Sequence, residues 1–585
     1  MRSALAALRW RGPDGAGSVR CGDFVLGCAR LAITERRSRQ PLLRRGGRFA
    51  AVLNGAVTDA RAQWRELRPR LLRRPSLPND TWLPLLWCEA GRPERLGDFA
   101  GHRAVAVVDA VEDRLWLAQD PAGEKPLLVA LVGGAPVAFA STAPALRALG
   151  VDAVVDDAGL ARLFWSGAAG PPVGRPAGPR VVAALPRVHT AAGSGQPPVP
   201  VPARAAPEAA PPVLATALAA AVARCADAGA DQPVGLALSG GIDSSCIAVE
   251  LAGRRDGSAP TAWQFRAAGA DRGERDLAAA VAAHLGLALR PVEGGPEVLD
   301  ALPLLTRCAG LPLGDPSVLA VHALARKAAG AGVRVLLSGE GADEALLGYA
   351  RHRALRRLPR WRLPAPPRTA ADWSMGRVAR SLRALAAADP YLELLAVTPP
   401  AFRREVLTAE IAAPGSTGPW GPWPGRPRGP AAERLQHAAA VDRDLYLRWD
   451  LLPKLDVATM AAAVEGRCPF LDGEVQRACA ALSPLQRLGK RPLRAAYRDR
   501  LPAAVFAQPK RGFALPLDRW FRGDLPWLDL LRSARTRARP HLRPGGLDRA
   551  IDRHRRGAAD LGHALYLVVA FELYLQSLEE SVPCG

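Results

Sequence analysis

The residues best placed to do chemistry stand at the ends of two apolar runs. Val234–Leu238 reads as a buried strand and is followed by Ser239-Gly240-Gly241-Ile242-Asp243-Ser244-Ser245; from Cys246 to Leu251 apolar residues recur at helical spacing. A strand, a glycine-rich turn and a helix start form a cradle for an anion. Paired glycines let the backbone approach closely, and a helix N-terminus presents unpaired N–H groups. Hydroxyls at Ser239, Ser244 and Ser245 add donors, and Leu238 closes the strand beneath them. Asp243 would repel a phosphate unless a cation lay between the two, so the segment predicts Mg²⁺ together with a nucleotide. No lysine is present, which excludes Gly-x-x-x-x-Gly-Lys-Ser/Thr, and the dinucleotide fingerprint does not fit either. The second run, Val333–Leu337, ends in Ser338-Gly339-Glu340-Gly341-Ala342-Asp343-Glu344. A capped turn before a helix accounts for glycine and one acid, but not for three acids in five residues. The acids would supply a second metal-binding carboxylate and a polar contact to substrate.

The elements around these motifs alternate. Strand Thr261–Phe265 precedes helix Glu274–Leu285, and helix Ser317–Ala329 precedes strand Val333–Leu337. Alternation predicts a parallel, doubly wound sheet, with ligands beyond the strand carboxyl ends. That is where both motifs fall. Residues 1–165 read differently. Short apolar runs at Phe24–Gly27, Phe49–Leu53, Ala104–Val108 and Leu115–Ala118 are separated by turns, with helical periodicity at Asp59–Leu72 and Thr81–Glu89. This predicts a β-sandwich with flanking helices. Residues 166–212 are rich in Pro, Gly and Ala and read as a linker, with Ala183–Pro186 as an ordered touch-point. Residues 213–585 form the second domain, in which 351–440 are Arg- and Pro-rich helices and Pro414–Trp423 has no functional reading.

Composition narrows the partners. The chain has 585 residues and a formal charge of +22. Of its 78 basic residues only five are lysine, namely Lys125, Lys327, Lys454, Lys490 and Lys510. The surplus is therefore arginine on solvated surfaces, with no compact basic run interleaved with aromatics, and nucleic acid is not an expected partner. Where Arg has replaced Lys so widely, a retained Lys marks a place that Arg does not suit. Nine Cys without a Cys-x-x-Cys pair predict a reduced, cytoplasmic setting with no zinc site. No apolar run reaches the length of a membrane span.

The first motif resembles the pyrophosphate loop of the ATP pyrophosphatases, Ser-Gly-Gly-x-Asp-Ser/Thr, which split ATP into AMP and pyrophosphate. The wider resemblance is to asparagine synthetases. Ser338–Glu344 is similar to their Ser-Gly-Glu-Gly-Ser/Ala-Asp-Glu, and Gly310–Ser317 matches another family word. Asp450–Asp456, Glu465–Asp472, Gly489–Arg494 and Pro509–Trp520 match further ones. The resemblance implies that Asp343 joins Asp243 on Mg²⁺, that Glu340 faces the substrate, and that Lys490 is the cation countering charge on phosphoryl oxygens. Gly339 is implied at the nucleotide beside Leu238–Ser245. Glu465, Arg467 and Asp472 are expected to have structural roles.

The N-terminal words Arg11–Gly15, Ala29–Ile33, Leu53–Val57, Asn79–Thr81 and Asp120–Leu127 resemble, in order, the class II glutamine amidotransferase domain of that family. Arg30, Asn54, Gly55 and Asp80 would be its remaining glutamine contacts. The departures are as informative. The family's nucleophile is an N-terminal Cys, whereas position 2 is Arg, and Cys21 and Cys28 have no free α-amine. Ala56 stands where the family has Glu, and Trp82 replaces another. A start assigned too far downstream explains the missing Cys alone; a decayed glutaminase explains all three and is the favoured expectation.

The resemblance implies an ATP-dependent amide-forming ligase. A small-molecule or peptide carboxylate, with aspartate the leading candidate, is adenylated, and ammonia or an amine then forms the amide. The alternative is a lasso-peptide macrolactam cyclase, or a β-lactam-synthetase-like ligase, using an amine within its own substrate. β-Lactam synthetases carry Tyr where this chain has Glu340, which disfavours them. A non-catalytic scaffold is a third reading, opposed by the retained Asp243, Asp343 and Lys490. A homodimeric assembly is left open.

Overall fold

The computed structural model describes residues 1–34, 39–71, 79–174, 179–183, 189–192, 199–200, 213–227, 232–254, 260–268, 273–364, 370–412, 428–507 and 515–580. Pro414–Trp423, the first half of the Pro509–Trp520 word with Lys510, and Ala184–Pro186 lie outside them.

The N-terminal part is a layered β structure. Strands β3 (Leu42–Arg44), β4 (Phe49–Gly55), β5 (Arg103–Asp109), β6 (Arg114–Gln119), β10 (His189–Ala192) and β11 (Val199–Pro200) form one antiparallel sheet in the order β11-β10-β6-β5-β4-β3. Alternation along β5 divides the core. Val105 and Val107 pack with Trp64, Leu67 and Leu83–Cys88 on the helical side. Ala104, Ala106 and Val108 pack on the other side with residues of β2 (Phe24–Arg30) and β7 (Leu128–Val132). That second layer comprises the hairpin of β1 (Gly15–Cys21) with β2, and a sheet of β8 (Ala135–Ala140), β7 and β9 (Arg180–Ala183). The expected sandwich with flanking helices is present.

The segment 166–212, expected as a linker, carries β9, β10 and β11, which pair with β7 and β6. Of these, β9 and β11 are sheet edges, where the missing N–H of a proline such as Pro200 is tolerated. The N-terminal β unit thus reaches past residue 165. The helix Asp157–Ser166 that precedes this segment is buried in the other unit. Leu160, Leu163 and Phe164 share a core with the C-terminal helix Gly562–Glu580, and the Phe164 and Phe571 rings meet edge-to-face at 5.7 Å.

The C-terminal unit is a five-stranded, wholly parallel sheet. Its strands β12 (Val234–Ala237), β13 (Thr261–Ala267), β14 (Ala288–Gly294), β15 (Val335–Leu337) and β16 (Glu465–Arg467) run in the order β14-β13-β12-β15-β16. Both faces are covered. Leu236, Val335 and Leu337 pack into one core and Trp263, Phe265 and Leu336 into the other, as period-2 alternation requires. The chain winds outward from β12 to β14 and then returns to lay β15 on β12's other side. The order therefore reverses between β12 and β15, and a crevice opens beyond their carboxyl ends.

Candidate active site

Both acidic glycine-rich motifs flank that crevice. After β12 the chain turns through Gly240 at φ +80°, where a Cβ would lie 2.7 Å from the Ala278 nitrogen, so only glycine fits. Gly241 then caps the helix Ile242–Ala252. Two serines brace the turn. Ser244 Oγ accepts the Ser239 N–H at 3.3 Å and donates to the Gly241 carbonyl at 3.2 Å; Ser239 Oγ accepts the Gly241 N–H at 3.3 Å. Leu238 and Ser245 are fully buried beneath the loop. After β15, Gly339 passes against the same helix start, where a Cβ would touch that of Asp243 at 3.0 Å.

Three charged side chains meet there. The Lys490 ammonium lies 2.6 and 2.5 Å from the two Asp243 oxygens and 2.7 Å from Asp343 Oδ1. Lys490 is 4% and Asp343 5% exposed. The convergence is built by the backbone. Gly489 and Lys490 donate their N–H groups to Leu347 and Leu346 at 2.9 and 3.1 Å, zipping the 488–490 turn onto the motif after β15. Lys490 and Leu347 hold φ of +59° and +49°, a left-handed conformation uncommon outside glycine, which is a cost accepted at the point where side chains must converge. Gly348 makes the space, because a Cβ there would be 2.1 Å from both Asp343 Oδ1 and Lys490 Cε.

The donor set suits a hard cation shared with phosphate. Among the described residues no group of three or more His, Cys, Asp or Glu side chains could hold a metal by itself. Mg²⁺ is characteristically bound by one or two carboxylates, with the remaining positions filled by phosphate oxygens and water. Asp243 and Asp343 already converge on one cation, the Lys490 ammonium, so the residues fit Mg²⁺ with a nucleotide.

Beside them Glu340 joins a second buried set. The Lys454 ammonium lies 3.1 Å from Asp315 and 3.2 Å from Glu340. Burial alone would raise the Asp315 pKa, but Lys454 and bonds from Ser317 hold it below its usual value. Burial disfavours the charged Lys454, yet Asp315 and Glu340 hold its pKa well above normal. Sequence reasoning assigned Lys454 and Asp315 no role; the scarcity of lysine was the available signal.

The glutaminase-like words pack against this unit. Arg11 pairs with Asp456 at 2.5 and 2.9 Å, and Lys125 Nζ lies 3.9 Å from Asp456 and 3.7 Å from Glu465. Glu465 also accepts from Arg467 at 2.7 Å and meets His102 Nε2 at 2.9 Å. Burial opposes ionisation of Glu465, but Lys125, Arg467 and His102 hold its pKa well below normal. Asp472 caps its helix and pairs with Arg224 at 2.7 Å. The expected structural roles of Glu465, Arg467 and Asp472 agree with these pairings.

Of the expected glutamine contacts, Arg30 ends β2, and Asn54 and Gly55 end β4. The Asn54 amide donates to Ser141 at 3.4 Å, and Asp80 accepts the Val57 N–H at 3.1 Å. Burial raises the Asp80 carboxyl above its usual range. Ala56 supplies only a methyl group, its N–H donating to the His102 carbonyl at 2.9 Å. Burial also raises the Cys21 thiol and pushes Cys28 up to about 11, so neither is an activated nucleophile.

Comparison with known proteins agrees with this layout. Residues 213–576 match the family model described as asparagine synthase, and residues 1–176 match that of a glutamine amidotransferase domain. Proteins of Mycobacterium tuberculosis and Mycobacterium bovis, provisionally named glutamine-hydrolyzing asparagine synthetases, are 29% identical over 97% of this chain and 92% of their own length. Glutamine-hydrolyzing asparagine synthetase 1 of Bacillus subtilis is 27% identical over 59% of this chain and 56% of its own. With the first model spanning more than half its residues, the chain belongs to the asparagine synthase family of ATP-dependent carbon–nitrogen ligases.

Proposed function

We propose that this ligase adenylates a carboxylate, releasing pyrophosphate, and then passes the acyl group to nitrogen, releasing AMP. Aspartate is the leading carboxylate, because Glu340 keeps the synthetase form of its motif. The observation that carries the reading is the meeting of Asp243, Asp343 and Lys490 at the reversal of strand order. The loop from Leu238 through Ser239, Gly240 and Gly241 to Ser244 and Ser245, with Gly339 opposite, would cradle the triphosphate on N–H groups at the helix start. Asp243 and Asp343 would hold Mg²⁺, which neutralises phosphate charge when bound. The Lys490 ammonium would then counter charge on the α-phosphoryl oxygens, where it develops as the carboxylate attacks. Glu340, held by Lys454, would orient substrate at the crevice mouth.

The glutaminase is read as lost in this domain, which then serves as a packing partner. Ala56 lacks the carboxylate expected to hold the glutamine ammonium, and Arg30, Asn54, Gly55 and Asp80 remain as a vestige. Residues 213–585 are kept as the ligase domain, and the β9–β11 segment of 166–212 is assigned to the first domain, which therefore runs past residue 165. Release of pyrophosphate from ATP is the test. Asparagine formed from aspartate and ammonium supports the reading. Release triggered only by a peptide with its own amine favours the macrolactam cyclase. Silence with every carboxylate tried, together with unaltered cellular function of D243A, removes the ligase reading.

A further inference from the structure

The helical layer beside the catalytic turn carries charge that its own acids do not neutralise. Residues 350–364 and 370–388 hold nine arginines and one acid, Asp372, which Arg404 engages. Arg351 and Arg383 are paired, with Asp442 and Glu393. Arg353, Arg356, Arg357, Arg360, Arg377 and Arg380 form no ion pair with any described carboxylate, and all six are exposed or half-exposed. Elsewhere exposed arginines do find acids, as Arg537 finds Asp548 at 2.7 Å and Arg555 finds Asp524 at 2.8 Å. The charges also crowd one another. The Arg380 pKa is lowered by burial first and then by Arg383, Arg351 and Arg377; that of Arg434 is lowered by burial and then by Arg360 and Arg428. Apolar side chains lie bare among them. Helix Arg377–Ala386 buries Ala384 and Ala386 but leaves Val378 and Leu382, one turn apart, 75% and 46% exposed. The chain around Trp361 runs against the end of this helix. The Leu363 N–H donates to the Leu385 carbonyl at 3.2 Å, and Arg428 bridges the Trp361 and Leu385 carbonyls at 3.0 and 2.8 Å. Trp361 is 60% exposed. The face starts at the active site, for Arg353 Nη1 lies 3.9 Å from where a Cβ on Gly489 would stand, next to Lys490.

We infer that this face docks an acidic polypeptide segment that carries aliphatic or aromatic side chains between its carboxylates. A solvated helix face is polar, and bare apolar residues are ordinary when scattered singly; here they stand together, framed by arginines that lack acids. Guanidinium groups take carboxylates in paired, charge-assisted hydrogen bonds, so the missing acids of this face are the ones the partner brings. Val378 and Leu382, at i and i+4, form one stripe for its apolar side chains, with the Trp361 indole beyond their helix end. Single-stranded nucleic acid would call for a series of rings on which to stack bases, whereas two of these three bare residues are aliphatic. Docking on this face does not depend on which carboxylate the ligase activates.

The probes are a fluorescein-labelled glutamate-rich peptide bearing leucine and tryptophan, a counterpart with serine in place of both, and an oligothymidylate of the same charge. Each is titrated with the full chain at physiological ionic strength and followed by fluorescence anisotropy. The first peptide is expected to bind about tenfold or more tightly than either of the others. R377E/R380E and V378S/L382S should each weaken it about tenfold, whereas R61E/R65E, an equal change of charge on the N-terminal unit, should not. Hydrogen exchange on the unaltered chain covers the case in which a variant does not fold, with the first peptide expected to slow exchange in 350–364 and 377–386. Equal binding of the two peptides would overturn the inference, as would tighter binding of the oligothymidylate, which assigns the face to nucleic acid. Equal weakening by R61E/R65E, or no slowed exchange, would overturn it as well, by showing attraction to the charge of the whole chain and not to this face.

Discussion

Lysine use shows what single residues do in this chain. Of the four lysines among the described residues, Lys125, Lys454 and Lys490 are 2%, 6% and 4% exposed, and each lies against two carboxylates. A compact ammonium on a slender stem fits between two acids where a planar guanidinium does not. K490R should therefore lower pyrophosphate release by at least ~10²-fold, the scale of losing one charge-stabilising group, and lower the urea midpoint as well, because the larger guanidinium overpacks a buried site. Activity within twofold would remove Lys490 from the proposed chemistry. Gly348 is the complementary test. In G348A the new methyl would lie 2.1 Å from Asp343 Oδ1 and Lys490 Cε, so the carboxylate and ammonium must part. Overpacking of this kind costs about 1–3 kcal/mol, readable as a lower urea midpoint, and activity should fall with it.

At the scale of elements, β16 is the joint between the two units. It is three residues long and has two charged members, Glu465 and Arg467, both buried. Arg467 donates to the Cys225 carbonyl at 2.9 Å as well as to Glu465, and Glu465 meets His102 and Lys125 of the N-terminal unit. Removing one partner of a buried set leaves the others uncompensated, which costs about 3–5 kcal/mol. E465A should lower the chemical midpoint accordingly and separate unfolding into two transitions in a calorimetric scan. D524A, which breaks an exposed pair with Arg555, should leave the scan unchanged. Equal effects of the two substitutions would show that the joint does not couple the units.

For the whole molecule, the interface sets a dependence on pH. Glu124 is buried there, its Oε1 accepting the Cys468 N–H at 3.1 Å, and burial pushes its pKa up to about 8, with Asp120 adding repulsion. The sign follows from proton binding. Between the ordinary carboxylate value and about 8 the folded chain holds a proton that the unfolded chain has released, so stability falls as pH rises through that window. A tenfold difference in proton affinity between the folded and unfolded chain corresponds to about 1.4 kcal/mol. E124Q should flatten the fall of melting temperature from weakly acid to weakly alkaline pH, with the difference from the parent growing towards the alkaline end. Parallel curves would show that Glu124 titrates in the folded state as it does unfolded.

Much of this architecture was legible in the sequence, because strand, glycine turn and helix start are local. Ser239–Ser245 and Ser338–Glu344 announced both their backbone shape and their place at strand ends. Elements without a periodic apolar pattern were missed. β14 carries Arg290, Pro291 and Glu293 along an exposed edge, and β16 is a strand only because salt bridges from two units bury its charges. β9–β11 were hidden in a Pro-rich stretch, since edge pairing depends on the strand alongside. The residue types alone determined that phosphate, a cation and acids belong to one chemistry. Tertiary structure decided which of them meet. Lys490 reaches Asp243 across 247 residues, and Arg11 reaches Asp456 across 445. No local preference encodes such pairings; they follow from the winding of the parallel sheet and from the burial of one unit against the other.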